Sequence, residues 1–248
     1  MKQSTREKFT CISVATVATA LFKRGLRNQV IQGVHPVAWT GRNMVGPAFT
    51  LRYMPAREDR NGIEVFRDPE HKQRVAIETC PEGHVLVMDS RKQATAASAG
   101  DILVTRLMKR GGAGIVTDGG FRDARAIGAL DMPAYHQRPS SPTNLTINEA
   151  IAINEPIGCG DAPVFPGDVI VGDADSVIVV PLEIADEIAD ECIEMTAFEA
   201  FVAERVGQGA TIIGLYPCTR DENREAYEAW LAAKDSSYFY HRIRQDER

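Results

Sequence analysis

Hydrophobic and polar positions along this chain repeat with two periods, and the switches between them predict an alternating α/β order. Val14, Val17, Ala18 and Leu21 recur at helical spacing behind Ser13, a fitting N-cap, which predicts a helix near residues 13–24. GPAFTLRYM reads as a strand, residues 63–78 as a helix, HVLVMDS as a strand, Asp101 to Arg110 as a helix and GIVTD as a strand. A helix after Asp123 and a short PAYH strand continue the alternation. Residues 138–163, rich in Pro, Ser, Asn and Gly, predict a loop with short strand pieces. VFPGDVIVGDADSVIVVP then holds two Val/Ile runs flanked by turn residues, the pattern of a β-hairpin.

Beyond the hairpin, Ile184, Ile188, Cys192 and Met195 keep helical spacing from Glu183 to about Val206, with acidic residues crowding the first turns. Asp221 to Lys234 reads as another helix, and the last dozen residues as a tail or a partner-docking arm. The organisation expected is one α/β domain over residues 1–215 and a helical extension over 216–248.

With 248 residues, 44% of them hydrophobic, the chain can fill a sizeable core. The net charge of −6 is spread over interspersed acids and bases, so no basic face suited to nucleic acid is evident. The basic stretch at His241, Arg242 and Arg244 is diluted by Asp246 and Glu247 and reads as a solvated end. Five cysteines without a C-x-x-C pair fit reduced thiols, hence a cytoplasmic location. Lys2, Arg6 and Lys8 precede TCISVATVATALF, and Ala18-Thr19-Ala20 imitates a secretion cleavage site, but Ser13 and the threonines interrupt the apolar run. No stretch reaches membrane-spanning length.

Several familiar motifs fail on context. GGAG at 111–114 follows a helix rather than a strand, so its first glycines read as a left-handed helix cap, not as a dinucleotide fingerprint. GCGD at 158–161 lacks the spacing, and no phosphate-cradling loop ending in Gly-Lys-Ser/Thr occurs. Asp173 and Asp175 start like a calcium loop, but Ile178 and Ile184 stand where glycine and glutamate are needed. The five histidines form no zinc-type pair, and no G-x-S-x-G presents a serine nucleophile.

What survives is GAGIVTDGGFRDARAIGA. A buried-strand pattern ends at Asp118, Gly119-Gly120 turns the chain, and Arg122-Asp123 stand before a helix, the place where α/β folds bind ligands. Phe66-Arg67-Asp68 repeats the tripeptide but lacks the strand and the glycine turn, so it reads as surface. HVLVMDS runs into a second loop, and Gly100-Asp101-Ile102-Leu103 opens a helix whose free N–H groups suit a carboxylate. If adjacent strands carry both loops, Arg122 clamps that carboxylate while Asp101 and Asp123 face each other, a donor set for Mg²⁺ or Mn²⁺ rather than Zn²⁺. The plainer alternatives are that Asp101 caps its helix, Arg122-Asp123 is a surface ion pair and Asp118-Gly119 only a turn. Spacing alone does not choose between them.

Asp101, twenty residues, then Arg122-Asp123 within VTDGGFRD, followed by VFPGDVIVGDADSVIVVP, resembles the class II 4-hydroxy-4-methyl-2-oxoglutarate/4-carboxy-4-hydroxy-2-oxoadipate aldolases and the related regulator of ribonuclease activity A-like proteins, from about Ser13 to Gly209. The resemblance implies an αββα sandwich similar to a swivelling phosphohistidine-type domain, assembled as homotrimers or homohexamers with sites between subunits. It further implies that the backbone of Gly100, Asp101, Ile102 and Leu103 holds a pyruvate carboxylate and Arg122 the pyruvyl unit, that Asp123 holds a metal, and that Asp101 orients a water on that metal. Glu199 matches a glutamate that a neighbouring subunit's late helix contributes. Thr19 and Ser176 depart from the family's Asp and Gly. The function implied is a Mg²⁺- or Mn²⁺-dependent lyase that cleaves a 4-hydroxy-2-oxo acid through a pyruvate enolate. Oxaloacetate decarboxylation, dehydration of a 2-keto-3-deoxy sugar acid, and non-enzymatic regulation of a ribonuclease remain alternatives. Residues 55–72 and the tail are the peripheral segments left to meet the non-pyruvyl half of a substrate.

Overall fold

A computed structural model describes residues 1–234. Two helices, α1 (Gln3–Phe9) and α2 (Val14–Lys23), lead into β1 (Val30–Ile31), β2 (His35–Pro36) and the long β3 (Met44–Pro55). A 3-10 turn at Ile63–Arg67 precedes α3 (Lys72–Thr79), β4 (Val85–Asp89), β5 (Ala97–Ala99) and α4 (Asp101–Lys109). Then come β6 (Gly114–Thr117), β7 (Gly120–Phe121), α5 (Ala124–Ile127), β8 (Ala134–His136) and β9 (Arg138–Pro139). The chain continues through β10 (Asn148–Ile153), β11 (Ile157–Cys159), β12 (Ala162–Val164), the hairpin β13 (Val169–Gly172) and β14 (Val177–Val180), and the helices α6 (Ala185–Gly207) and α7 (Asp221–Ala232).

The main sheet runs β1-β14-β13-β3-β4-β6-β8-β2, with β10 also paired to β3. Strands β3, β4, β6 and β8 are parallel, whereas β13, β14 and β1 join antiparallel. The two-residue period of strands decides the layers. Val169, Val171, Ile178 and Val180 meet α1, α2 and α6, while Ile170, Val177 and Val179 turn to an inner core with Val85, Val87, Val116 and Tyr135. Leu86, Met88 and Ile115 point the other way, joining Ile77 of α3, Val104 and Leu107 of α4 and Ile127 of α5 in an outer core. Strand β3 serves both halves, with Val45 facing the first helical layer and Phe49, Leu51 and Tyr53 the second. The result is a mixed α/β fold with a curled sheet, helices outside and β-layers within, as the αββα expectation has it.

Most expected elements stand within a residue or two of their positions, including the Ser13 cap, whose hydroxyl accepts from the Thr16 N–H at 3.1 Å. Gly111 takes the left-handed conformation expected after α4, at φ 84°. The continuous helix expected over 63–78 is broken. Asp68 is extended (φ −69°, ψ 119°) because the following Pro69 disfavours helical geometry before it, and the helix restarts only at Lys72. Helix α1 was not expected, and it buries Thr5 and Phe9. The expected C-terminal helix is α7, which sets Tyr227 and Trp230 against Phe198 and Phe201 of α6. The tail, with His241, Arg242 and Arg244, lies outside the described residues. Among the described residues no helix is long and apolar enough to cross a membrane.

Candidate active site

The parallel half of the sheet ends in loops that are tied together before any functional group is placed. Strands β4 and β6 are neighbours, with Met88 opposite Thr117. Beyond their carboxyl ends a second, small parallel sheet forms from β5, β7 and β9. Ala97 pairs with Gly120 and Ala99 with Phe121, and the Arg122 N–H donates to the Ala99 carbonyl at 3.1 Å. That zipper lays the start of α4 alongside Arg122 and Asp123, although twenty residues separate Asp101 from Arg122 in the chain.

Buried polar groups hold the zipper in register. Ser90, Ser98 and Thr117 form a hydroxyl trio, with oxygens 2.6 Å apart for Ser98 and Thr117, 2.7 Å for Ser90 and Ser98, and 3.1 Å for Ser90 and Thr117. Gly119 is required beside them, since a Cβ there would lie 2.7 Å from the Ser90 Cβ. The buried Asp118 carboxylate collects N–H groups from Ser90 at 2.6 Å and from Lys92 and Gly160 at 3.1 Å. Burial pushes its pKa up to about 6 against these donors, and the nearby Asp89 adds to the rise. Asp118 is therefore a structural anchor for three loops, which is more than the turn residue the sequence suggests. Behind Arg122, Phe121 stacks on His136 with ring centroids 5.6 Å apart, and burial, followed by the charge of His35, pulls the His136 pKa down to about 4.

The site proper is a cavity of about 220 Å³ lined by Gly100, Asp101, Ile102, Leu103, Arg122 and Asp123, together with residues from other segments. Its size falls below the roughly 300–1,000 Å³ of pockets for drug-sized ligands and suits a small acid. Gly100 is a point of close approach between the two loops. A Cβ there would stand 2.8 Å from the Arg122 Cγ and 3.2 Å from an Asp123 carboxylate oxygen. Helix α4 starts here with Asp101 in its first turn, and the Val104 N–H is the first to close onto Gly100. The N–H groups ahead of it have no partner within the helix, and the Asp101 carboxylate takes the one on Ile102 at 2.8 Å.

Asp123 sits in the left-handed region (φ 55°, ψ 34°), a conformation a non-glycine residue keeps only when its surroundings enforce it. Its carboxylate accepts from Arg122 Nε at 3.1 Å. The ion-pair alternative raised by the sequence is thus present, but it stands on a cavity wall, and both side chains are about half exposed (52% and 42%) and open to a ligand. Asp101 and Asp123 are oxygen donors on that same cavity, while no group of three or more His, Cys, Asp or Glu side chains able to hold a metal occurs among the described residues. Such a sparse oxygen set does not fit a fully protein-ligated zinc site. It fits a hard ion that keeps most of its waters.

Of the expected site residues, Gly100, Asp101, Ile102, Leu103, Arg122 and Asp123 are brought together, and Glu199 is not. Glu199 lies on α6, where its carboxylate accepts from the Thr16 hydroxyl at 2.9 Å and the Tyr216 hydroxyl at 3.4 Å. The cavity also recruits residues without a sequence motif: Phe66, Gln73 and Arg74 from the broken segment before β4, and Thr143 and Asn144. Gln73 Nε2 donates to the Ser98 carbonyl at 2.5 Å, which ties α3 to the zipper. Phe66 belongs to the tripeptide expected at the surface. Its neighbours Arg67 and Asp68 are exposed, but the ring itself reaches the cavity.

Residues 14–179 match the family model RraA-like, described as Aldolase/RraA. A Halalkalibacterium halodurans protein named "Putative 4-hydroxy-4-methyl-2-oxoglutarate aldolase" is 41% identical over 102 residues, 40% of this chain and 47% of the relative. Protein DlpA of Legionella pneumophila is 23% identical over 222 residues, 88% of this chain and 33% of the relative. The matches therefore span about half and a third of the lengths of these two curated relatives. Streptomyces coelicolor RraAS2, described as an unusual member of the RNase ES inhibitor RraA protein family, superposes with a TM-score of 0.72 at 29% identity, over 81% of this chain and 96% of that one. An uncharacterized Pseudomonas syringae protein gives a TM-score of 0.73 at 22% identity, over 87% and 98%, a likeness of fold.

Proposed function

The chain belongs to the RraA-like family, Aldolase/RraA, and on that premise we propose that it is a divalent-metal-dependent lyase that cleaves a 4-hydroxy-2-oxo acid and releases pyruvate. The observation that carries the reading is the convergence of the α4 start, Arg122 and Asp123 on one small cavity. The names of curated relatives as aldolases support it in kind.

The first-turn N–H groups of α4 receive the C1 carboxylate of the acid, where the helix dipole favours negative charge. Arg122 adds positive charge beside the C2 oxygen, which gains charge as the C3–C4 bond breaks and its electron pair forms the enolate. Asp101 orients the water that takes the C4 hydroxyl proton, leaving a carbonyl product, and that returns a proton to C3 to complete pyruvate. Asp123 would hold Mg²⁺ or Mn²⁺, which would supply Lewis acidity as charge develops on the substrate oxygens. No lysine lines the cavity, so no Schiff base is invoked. Glu199 stands outside the cavity of its own chain and would reach a site only across a subunit boundary, in a homotrimer or homohexamer.

The test is pyruvate release from a panel of 2-oxo acids with Mg²⁺ or Mn²⁺ supplied. Aldol cleavage predicts turnover of 4-hydroxy-2-oxo acids, and the same enolate chemistry would serve oxaloacetate. A second reading, a protein-binding regulator of a ribonuclease, draws on the likeness to RraAS2. An Arg122→Ala protein that turned over normally but lost a protein partner would favour it.

A further inference from the structure

Part of the cavity wall outside the two loops comes from the segment broken at Pro69. It contributes Phe66 from the 3-10 turn and Gln73 and Arg74 from α3. The Arg74 guanidinium lies over the Phe66 ring, 4.3 Å from its centroid, and the same ring meets His71 edge-on at 5.1 Å. The contact with the ring restrains the guanidinium and leaves N–H groups for an acceptor.

Among the described residues no acceptor is bonded to it. Arg74 has no carboxylate partner among the described residues, and its Nη1 is buried without a hydrogen bond. Burial alone pulls its pKa down from the ordinary arginine value. The acidic side chains that act on this segment, Asp68 and Glu149, act on His71. The contrast with nearby arginines is direct: Arg106 binds Glu78 at 2.8 Å, Arg110 approaches the same carboxylate at 3.7 Å, and Arg122 has Asp123. A half-buried guanidinium without a counter-ion is costly to keep, and a ligand that brings the counter-ion relieves that cost.

We propose that Arg74, stacked on Phe66, is a specificity-determining residue that binds a second anionic group, carboxylate or phosphate-like, at the end of the substrate remote from its 2-oxo acid. The proposal rests on the 2-oxo acid site described above. The α4 start and Arg122 take the first carboxylate, and Arg74 comes from an independent element on the same cavity. A substrate with charge at one end only would leave Arg74 unpaired.

Calorimetric titration with Mg²⁺ present tests this without requiring turnover. The ligands are 2-oxoglutarate, its uncharged-end counterpart 2-oxopentanoate, and 4-phosphono-2-oxobutyrate. Wild-type protein is expected to bind at least one doubly anionic ligand about tenfold or more tightly than 2-oxopentanoate, as a charge-assisted hydrogen bond would provide. Whichever of the two is preferred identifies the anionic group. Arg74→Gln should erase the preference and leave 2-oxopentanoate binding unchanged. Arg74→Lys, which keeps the charge without the stacked fork, should restore part of it and guards against a folding defect. Equal wild-type affinities, or a preference that survives Arg74→Gln, would overturn the role of Arg74 and leave the lyase reading standing. Wild-type protein that binds none of the three acids, nor pyruvate, would defeat the 2-oxo acid reading and this proposal with it.

Discussion

Strand β3 belongs to two halves of the molecule built from the same apolar residue types and put to different uses. On one side it joins the antiparallel hairpin of β13 and β14, covered by α1, α2 and α6, whose edges are laced by Arg24 to Glu187 and Glu191. On the other it starts a parallel run with β4 and β6, whose carboxyl ends open into loops stitched by β5 and β7. A hairpin turn joins its two strands locally, whereas parallel strands must return through crossovers and so place loops and helix starts side by side. The lesson is one of topology, because it is the parallel half that brings Asp101, Arg122 and Asp123 onto one cavity.

That contrast can be broken first at the contact between the loops. Arg122→Ala should lower kcat by about 10²–10³-fold, the usual loss when a charge-stabilising donor is removed. Gly100→Ala should act in the same direction by pushing the Arg122 stem away, with little change in melting temperature. Steady-state kinetics beside thermal melts separates the two readouts.

Next in size are matched core truncations. Leu86→Ala in the core of the parallel half and Ile188→Ala on the buried face of α6 each remove a fully buried side chain and should each cost about 2–5 kcal/mol in denaturant titrations. Only Leu86→Ala should also reduce kcat per folded molecule. An equal loss from Ile188→Ala would abolish the distinction between halves.

Acid acts on the parallel half through two buried groups that titrate in opposition. Asp118 rises from 3.8 to about 6 on folding, so between those values the folded chain holds the extra proton and stability grows as pH falls. His136 drops from 6.5 to about 4, so its contribution is complete above 6.5 and drains away as pH falls toward 4. Asp118→Asn removes the first effect and keeps the second. Its stability should fall more steeply than wild type from pH 6 to 4, by up to about 2–3 kcal/mol over the window. The smallest effect is expected from Arg24→Ala on the hairpin half. Its partly exposed ion pairs should be worth about 1 kcal/mol or less, with kcat unchanged.

The elements that a sequence reader can see are those whose period is long and unbroken. Val169 to Val180 alternates between two cores, and Ile188 and Cys192 mark one helical face, so the hairpin and α6 stand where their patterns put them. Helix α1, at seven residues, is too short to establish a period, and Pro69 overrides an apparent period across 63–78. At the site, Asp101, Arg122 and Asp123 were legible through turn chemistry and the resemblance. Phe66 was legible only as part of the peripheral segment 55–72, and Gln73, Arg74 and Asn144 were not legible, because a tertiary approach brings them to the cavity, as with Gln73 reaching the Ser98 carbonyl across 25 residues. The three-loop role of Asp118 was hidden for the same reason, since its donors Ser90 and Gly160 are remote in sequence.

The most direct test of the two-loop site is the metal dependence of pyruvate release from a 4-hydroxy-2-oxo acid. Turnover by the wild-type protein should vanish on exhaustive treatment with EDTA and return when Mg²⁺ or Mn²⁺ is added back, while Asp123→Asn should fail to recover. Release that continues undiminished after complete metal removal would contradict the account.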